Sequence, residues 1–138
     1  MVKSIRIKSS FSYLHEVEGF LKGVLPEYKL GKTLSGYIRL VVCESVNNAI
    51  NHGNKFDEHK FVTLFFDSCD KYISFEIHDE GDGFDFCSMP DPTLEANLRN
   101  EGGRGLFIIR NLADEFSFRN NGSVISIKFH INRVNTIS

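Results

Sequence analysis

Residues 44–53 read Glu44-Ser45-Val46-Asn47-Asn48-Ala49-Ile50-Asn51-His52-Gly53 and end a predicted helix that runs from about Thr33 to His52. At about 100° per residue, apolar side chains cluster on one side of this helix and polar side chains face the opposite way. Glu44 and Asn48 are four residues apart and therefore share a face. Such a stripe is typical of a solvated helix surface. It equally suits a half-buried surface whose polar groups have partners, because unpaired amides and carboxylates are costly to bury.

The polar stripe has the chemistry of a metal and proton-transfer site. The side-chain oxygen of Asn48 is a suitable ligand for Mg²⁺, a hard cation that keeps several waters and takes other ligands from phosphates. Glu44 lies one turn away, where its carboxylate could accept a proton from an attacking hydroxyl or water. His52 follows on nearly the same side, where it suits either a direct nucleotide contact or a place near the negative end of the helix dipole.

A second segment, Asp79-Glu80-Gly81-Asp82-Gly83-Phe84-Asp85, follows a predicted strand. The Asp79 carboxylate can accept a hydrogen bond from an exocyclic amine such as that of adenine. Gly81 and Gly83 permit close backbone approach and unusual φ angles. A plain tight turn is the simpler alternative. A calcium-binding EF-hand loop is excluded by position, because Phe84 stands where the loop needs glycine and Pro90 where it needs glutamate.

A third segment, Glu101-Gly102-Gly103-Arg104-Gly105-Leu106, precedes a predicted apolar helix from Leu106 to Ala113. Backbone N–H groups at a helix start, together with one arginine, form an anion site, and glycines let a phosphate approach the backbone. A flexible hinge is a compatible alternative, and the loop from about Phe86 to Arg104 could close over a ligand as a lid.

Two better-known phosphate motifs are excluded by spacing. A dinucleotide-binding fingerprint that begins at Gly103 would place its third glycine at Ile108. The Gly31-Lys32-Thr33 tripeptide would need an earlier glycine where the chain has Pro26, so it is not a P-loop.

The remaining pattern predicts a single α+β domain over residues 1–138, a two-layer sandwich with helices on one face of a mixed, mostly antiparallel sheet. A first helix begins at Ser10, and Asn120-Asn121-Gly122 suits a hairpin turn with positive φ. A short helical turn is predicted near Leu94–Leu98. The predicted strands are Ser4–Ser9, Lys60–Asp67, Tyr72–His78, Glu115–Arg119 and Ser123–Ile131.

Composition excludes several classes of protein. The 138 residues are 41% hydrophobic and 25% charged with a formal net charge of -2, so direct nucleic-acid binding has little support. The chain has no apolar run long enough for a membrane helix, and its start lacks the apolar region of a secretion signal. An odd number of widely spaced cysteines (Cys43, Cys69, Cys87) indicates reduced thiols and a cytoplasmic protein. The histidines lack metal-binding spacing, and no GxSxG nucleophile motif is present.

In their order and joint occurrence, the three segments resemble the N, G1 and G2 boxes of the Bergerat-fold ATPases, the superfamily of gyrase B, Hsp90, histidine kinases and MutL. The motifs are Glu44-x3-Asn48-Ala49, Asp79-x-Gly81-x-Gly83 and Gly103-x-Gly105-Leu106. The closest resemblance is to the small bacterial anti-sigma-factor serine/threonine kinases of the RsbW and SpoIIAB type. Residues 44–53, the text from Phe84-Asp85 through Pro90-Asp91-Pro92, and Gly103-Arg104-Gly105-Leu106-Phe107-Ile108-Ile109-Arg110 carry this narrower match.

The resemblance implies that ATP and Mg²⁺ bind between the sheet and the helices under a lid at about residues 84–104. It implies that Glu44 is the general base and that Asn48 ligates Mg²⁺. Asp79 would bind the adenine amine in a pocket lined by Gly81 and Gly83. His52 and Leu106 would also contact the nucleotide, and the phosphates would meet Gly103, Arg104 and Gly105.

The implied partners are a STAS-type antagonist, which is phosphorylated on serine or threonine, and a sigma factor, which is bound directly; many members dimerise. Such a protein would regulate transcription without touching nucleic acid or membrane. Two alternatives stay open: a nucleotide-gated binding protein without significant kinase activity, and a detached histidine-kinase catalytic domain. The chain departs from relatives at Gly122-Ser123-Val124, where many have Gly-Thr-Thr. The resemblance therefore does not extend to an auxiliary hydroxyl contact near the adenine.

Overall fold

The computed structural model describes residues 2–81 and 101–131. Its five-stranded sheet has the order β1-β2-β3-β5-β4, and every pairing between these strands is antiparallel. The predicted α+β sandwich is therefore confirmed, with an antiparallel sheet in the described part of the chain where a mixed one was expected. The strands are β1 (Lys3–Lys8), β2 (Phe61–Ser68), β3 (Tyr72–His78), β4 (Glu115–Arg119) and β5 (Val124–His130), and the α-helices are α1 (Leu14–Val24), α2 (Lys32–Asn48) and α3 (Glu101–Leu112).

One face of the sheet carries the hydrophobic core. Side chains alternate between buried and partly exposed along β2 and β3, as the two-residue period of a strand requires. The register places Phe66 opposite Phe75 and Phe75 opposite Ile127, so apolar side chains of three adjacent strands form one continuous layer. The other face is polar: Glu76 binds Arg119 at 2.7 Å and His78 at 2.9 Å. The helices therefore cover the apolar face alone.

Helices α1 and α2 follow the predicted pattern closely. Val17 and Leu21 are fully buried on α1, and Ile38, Val42 and Val46 are fully buried on α2. These spacings of four residues are typical of the apolar stripe of an amphipathic helix. A 3₁₀ turn at Pro26–Tyr28 separates the two helices, which agrees with the break predicted at Pro26.

Helix α3 begins at Glu101, five residues before the predicted start at Leu106. The prediction was wrong because Gly102, Gly103 and Gly105 have low intrinsic helix propensity, and tertiary packing overrides that preference here. Gly105 and Ile109 are buried one turn apart on the side of α3 that packs against α2. The predicted lid at 84–104 therefore overlaps the start of α3, and its remainder lies outside the described residues. The helical turn predicted near Leu94–Leu98 lies outside them too.

The last hairpin and the cysteines agree with expectation where they are described. Asn120 and Gly122 both have positive φ, 53° and 90°, in the turn between β4 and β5. Cys43 and Cys69 are free thiols, and Cys87 lies outside the described residues. Burial, followed by the charge of Glu18, raises the pKa of the Cys43 thiol to about 11, so this group stays protonated at neutral pH.

Candidate functional site

The end of α2 presents Glu44 and Asn48 to α3. Both side chains are half-buried, and Gly105 of α3 lies directly against them. A β-carbon at position 105 would lie 3.2 Å from Oε2 of Glu44 and 3.4 Å from both Oδ1 and Nδ2 of Asn48. Glycine thus allows α3 to approach the polar stripe closely. The structure brings together three residues that the sequence predicts to act together, and the stripe is not a fully solvated helix face.

A π-helical turn, Ala49–Gly53, follows α2 in place of the continuous α-helix predicted to His52. The N–H of Asn54 donates to the carbonyl oxygen of Ala49 at 2.8 Å, a bond that spans five residues instead of four. Such turns are rare in proteins, and those that occur are often at functional sites, because they change the direction of the side chains that follow. Here the turn carries half-buried His52 and buried Gly53.

Gly53 and Gly81 form a close backbone contact beside Asp79. A β-carbon on Gly81 would overlap the carbonyl oxygen of Gly53, and one on Gly53 would overlap the Asp79 carboxylate. Gly81 does not adopt positive φ, so of the two features that glycine permits, close backbone approach is the one used at this position. Glycine is required there by close approach. The contact joins the end of the π turn to the segment that follows β3.

Asp79 is half-buried and fixed by hydrogen bonds on its backbone and side chain. Its N–H donates to the carbonyl oxygen of Ser123 at 2.9 Å, and its Oδ1 accepts from the N–H of Gly81 at 2.9 Å. Burial raises the pKa of the Asp79 carboxyl above its ordinary value, partly opposed by the Gly81 hydrogen bond and by the charges of His78 and Lys60. A half-buried carboxylate of this kind has free acceptor capacity for a ligand donor.

Asn54 is a residue of this region that sequence reasoning missed. Its side chain is 2% exposed and bonds three separate segments of the chain. Because glycine followed by asparagine is common at a helix end, the sequence indicates only that the helix stops here. It does not indicate that the asparagine side chain bonds other segments. A single sequence carries no signal that such an asparagine is buried.

The other predicted site residues fall partly outside the described structure. Gly103, Arg104 and Leu106 lie within the first turns of α3 and not before or at the start of the helix. Gly83 lies outside the described residues. The Ser123 hydroxyl donates to the carbonyl oxygen of Asn120 at 2.9 Å, a hydrogen bond within the turn between β4 and β5. The carbonyl of Ser123, in contrast, holds Asp79.

The described residues contain no group of three or more His, Cys, Asp or Glu side chains placed to hold a metal ion. Mg²⁺ that binds with phosphates keeps several waters and takes few ligands from the protein, so a single amide oxygen such as that of Asn48 suits this kind of site. Over the same residues, no helix has the length and hydrophobicity that crossing a membrane requires.

Comparisons with known proteins show a family match over most of the chain. The histidine kinase-like ATPase domain family matches residues 7–129 of the chain. The serine-protein kinase RsbW of Staphylococcus aureus strain MSSA476 is 27% identical over 139 residues, covering 94% of this chain and 86% of that protein. RsbW from strain Newman of the same species gives the same identity and coverage.

Proposed function

The chain belongs to the histidine kinase-like ATPase domain family, and we propose that it is an ATP-dependent serine/threonine kinase of the anti-sigma-factor type. Its substrate would be a STAS-type antagonist protein, and it would sequester a sigma factor. The observation that carries the proposal is the convergence of Glu44, Asn48 and Gly105, which come from two predicted motifs far apart in the sequence. The similarity to serine-protein kinase RsbW supports the choice of a hydroxyl acceptor.

In this proposal the nucleotide spans two neighbouring clusters of the site. The Asp79 carboxylate accepts a hydrogen bond from the adenine amine, beside Gly81 and Gly83. The phosphates lie toward the start of α3, where Gly103, Arg104, Gly105 and Leu106 are expected to contact them. His52, in the π turn between the clusters, is the further expected nucleotide contact. Gly105 brings α3 close to Glu44 and Asn48, so phosphates bound near the start of α3 would lie close to both side chains.

Asn48 fits a magnesium site of the kind that phosphates complete. Its amide is half-buried at the end of α2, beside the Glu44 carboxylate, and it offers a neutral hard oxygen. When bound, Mg²⁺ would neutralise charge on the phosphate oxygens during transfer.

Glu44 would act as the general base at the acceptor hydroxyl. As the hydroxyl oxygen forms its bond to the γ-phosphorus, its proton passes to the Glu44 carboxylate, and the bond from the γ-phosphorus to the leaving ADP oxygen breaks. The packing of α3 against α2 shields the carboxylate from part of the solvent and limits its movement. Little covalent chemistry is asked of the protein, since phosphoryl transfer depends mainly on positioning and charge.

The proposal is tested by affinity capture from the native cell extract, with ATP and then ADP present, followed by transfer from radiolabelled ATP. Recovery of a sigma subunit and a STAS-domain protein, with acid-stable label on the latter, is the expected result. Acid-labile label would instead indicate a phosphohistidine and a detached histidine-kinase domain. Tight ATP binding without any labelled partner would indicate a nucleotide-gated binding protein.

Replacement of Asn48 tests the metal assignment. Asn48→Ala is expected to reduce the gain in ADP affinity on adding Mg²⁺ by about tenfold or more. Even residues that only hydrogen-bond to a metal's ligands contribute about tenfold to metal affinity. Affinity without Mg²⁺ should change little. Titration calorimetry with and without the metal measures both quantities.

Asn47→Ala is the matched control for this variant. The Asn47 Oδ1 is buried without a hydrogen-bond partner among the described residues, so truncation there should leave the magnesium effect intact. An unchanged magnesium effect in Asn48→Ala would rule out the assignment.

Replacement of Asp79 tests the adenine contact and its pH dependence. Asp79→Asn is expected to weaken ADP binding by about tenfold to a hundredfold, because an amide N–H₂ would face the adenine amine, another donor. In the wild-type protein ADP affinity should fall as pH drops through the raised pKa of Asp79, at a higher pH than for an ordinary aspartate. Calorimetry between about pH 4 and pH 7 measures this, and the variant should lack the transition.

The same variant should make the nucleotide-free protein slightly more stable at neutral pH. Because the folded-state pKa of Asp79 is raised, its ionisation lowers stability as pH rises from the ordinary aspartate range through the raised value. Asp79→Asn removes that loss and can still accept the Gly81 hydrogen bond. Urea unfolding at neutral pH measures the free energy of unfolding. A lower value for the variant than for the wild type would contradict the raised pKa of Asp79.

A further inference from the structure

We infer that Asn54 is a positioning residue for the nucleotide base, because its side chain bonds the end of the π turn to the backbone N–H of Glu80, the residue after Asp79. This inference rests on the proposed function, since it concerns the same site. Asn54 is not expected to touch the nucleotide. It would set adenine affinity and selectivity by fixing the segment that presents the Asp79 carboxylate.

The Asn54 side chain uses both of its polar atoms. Its Nδ2 donates to Oγ of Ser9 at 2.8 Å and to the carbonyl oxygen of Phe61 at 3.0 Å, and its Oδ1 accepts from the N–H of Glu80 at 2.8 Å. One amide therefore joins the residue after β1, the first residue of β2 and the residue after Asp79. A fully bonded buried amide of this kind has one preferred orientation.

Burial gives these hydrogen bonds their weight. Asn54 is 2% exposed and Ser9 is fully buried, and the Ser9 hydroxyl donates onward to the carbonyl oxygen of Lys60 at 2.6 Å. The Glu80 carboxylate, which is exposed, accepts from the N–H of Phe61 and so joins the same two segments at the surface. Because a buried polar group left without a partner costs about 1–3 kcal/mol, each member of this network constrains the others.

The network reaches Asp79 through consecutive backbone N–H groups. The N–H of Asp79 is held by Ser123, which directly precedes β5, that of Glu80 by Asn54, and that of Gly81 by the Asp79 side chain itself. Of these three bonds, only that of Glu80 is made to Asn54, which directly follows Gly53 at the end of the π turn. Gly53 and Gly81 are in backbone contact, so a shift of Glu80 would move both Gly81 and the Asp79 carboxylate.

The test compares Asn54→Ala with Ser9→Ala in the full chain. Both variants remove the hydrogen bond between the two side chains, but only Asn54→Ala leaves the Glu80 N–H without its acceptor. The readout is the ratio of the dissociation constants of Mg-IDP and Mg-ADP, measured by calorimetry well below each melting temperature. Inosine carries an oxygen in place of the adenine amine, so this ratio reports the Asp79 contact.

Asn54→Ala is expected to reduce the ratio about tenfold, whereas Ser9→Ala should keep it within about threefold of wild type. Asn54→Asp retains an acceptor for the Glu80 N–H and should restore most of the ratio at reduced stability. If the alanine variant does not fold, Asn54→Asp takes its place in the comparison with Ser9→Ala. A wild-type ratio in Asn54→Ala, or an equal loss in Ser9→Ala, would show a purely structural role and overturn the inference.

A second readout separates failure of the inference from failure of the proposed function. Amide hydrogen exchange without nucleotide should accelerate at Glu80 and Gly81 in Asn54→Ala, by about tenfold more than in Ser9→Ala. If the wild-type protein itself showed no preference for ADP over IDP, the adenine assignment would be wrong while the exchange result still tested the positioning. Unchanged exchange at Glu80 would refute the positioning itself.

Discussion

Glu44→Gln is expected to leave nucleotide affinity near the wild-type value while lowering phosphoryl transfer by roughly 10²–10⁴-fold, the usual contribution of a general base. Glutamine has nearly the same shape as glutamate, so the close packing at Gly105 is preserved and the pocket keeps its form. What the variant loses is the ability to take up the hydroxyl proton. A transfer assay on the captured antagonist, together with ADP calorimetry, measures both effects.

A matched variant on another helix controls for charge. Glu18→Gln removes a carboxylate from the exposed surface of α1, where it lies 3.7 Å from Arg39, and such surface pairs contribute little. Transfer by this variant should equal that of the wild type. Undiminished transfer by Glu44→Gln would refute the base assignment, and a parallel loss of ADP binding would show that Glu44 acts in binding instead.

Gly81→Ala is expected to weaken ADP binding by about tenfold to a hundredfold, since it would displace the Asp79 carboxylate, and loss of that hydrogen bond costs about 1–3 kcal/mol. The added methyl group would overlap the backbone carbonyl of Gly53, which, unlike a side-chain end, cannot rotate aside. The π turn and the Asp79 segment must then separate. Overpacking of this kind also lowers the free energy of unfolding by about 1–3 kcal/mol.

The control for Gly81→Ala is another glycine in the same chain. Gly36 lies in α2 with no atom within 4 Å of a β-carbon built on it. Gly36→Ala should stabilise the protein by about 0.5–1 kcal/mol, because alanine is the better helix former, with ADP binding unchanged. Urea unfolding and calorimetry distinguish the two glycines. Wild-type ADP affinity in Gly81→Ala would mean that the contact with Gly53 does not shape the site.

Local patterns were sufficient to predict the fold. The alternation of β2 and β3, the apolar stripes of α1 and α2, and Asn120-Asn121-Gly122 between β4 and β5 each predict one element, and the structure contains all of them. These signals work because burial of one face imposes a strict period on the sequence. The early start of α3 escaped prediction, because its glycines are poor helix formers in isolation and are accepted only for their fit against α2.

The candidate site was predictable in its components and not in its connections. Glu44, Asn48 and Asp79 stand out because polar residues at these places require partners. The π turn and the Asn54 network do not stand out, since both depend on which backbone groups meet after folding. Hydrogen bonds between Asn54, Ser9 and Glu80 join positions as much as 45 residues apart, and no local pattern encodes them.

The position of β3 in the sheet has a consequence for how the site comes into being. This strand pairs with β2, which precedes it, and with β5, which is made last among the described strands. The hydrogen bond from Asp79 to Ser123 therefore closes only when β5 has been made and has paired with β3. During synthesis, a nascent chain released as far as Gly81 would already carry Glu44, Asn48 and Asp79. It would still lack the Ser123 carbonyl that holds Asp79, so under the proposed function adenine would bind preferentially to molecules in which β5 is in place.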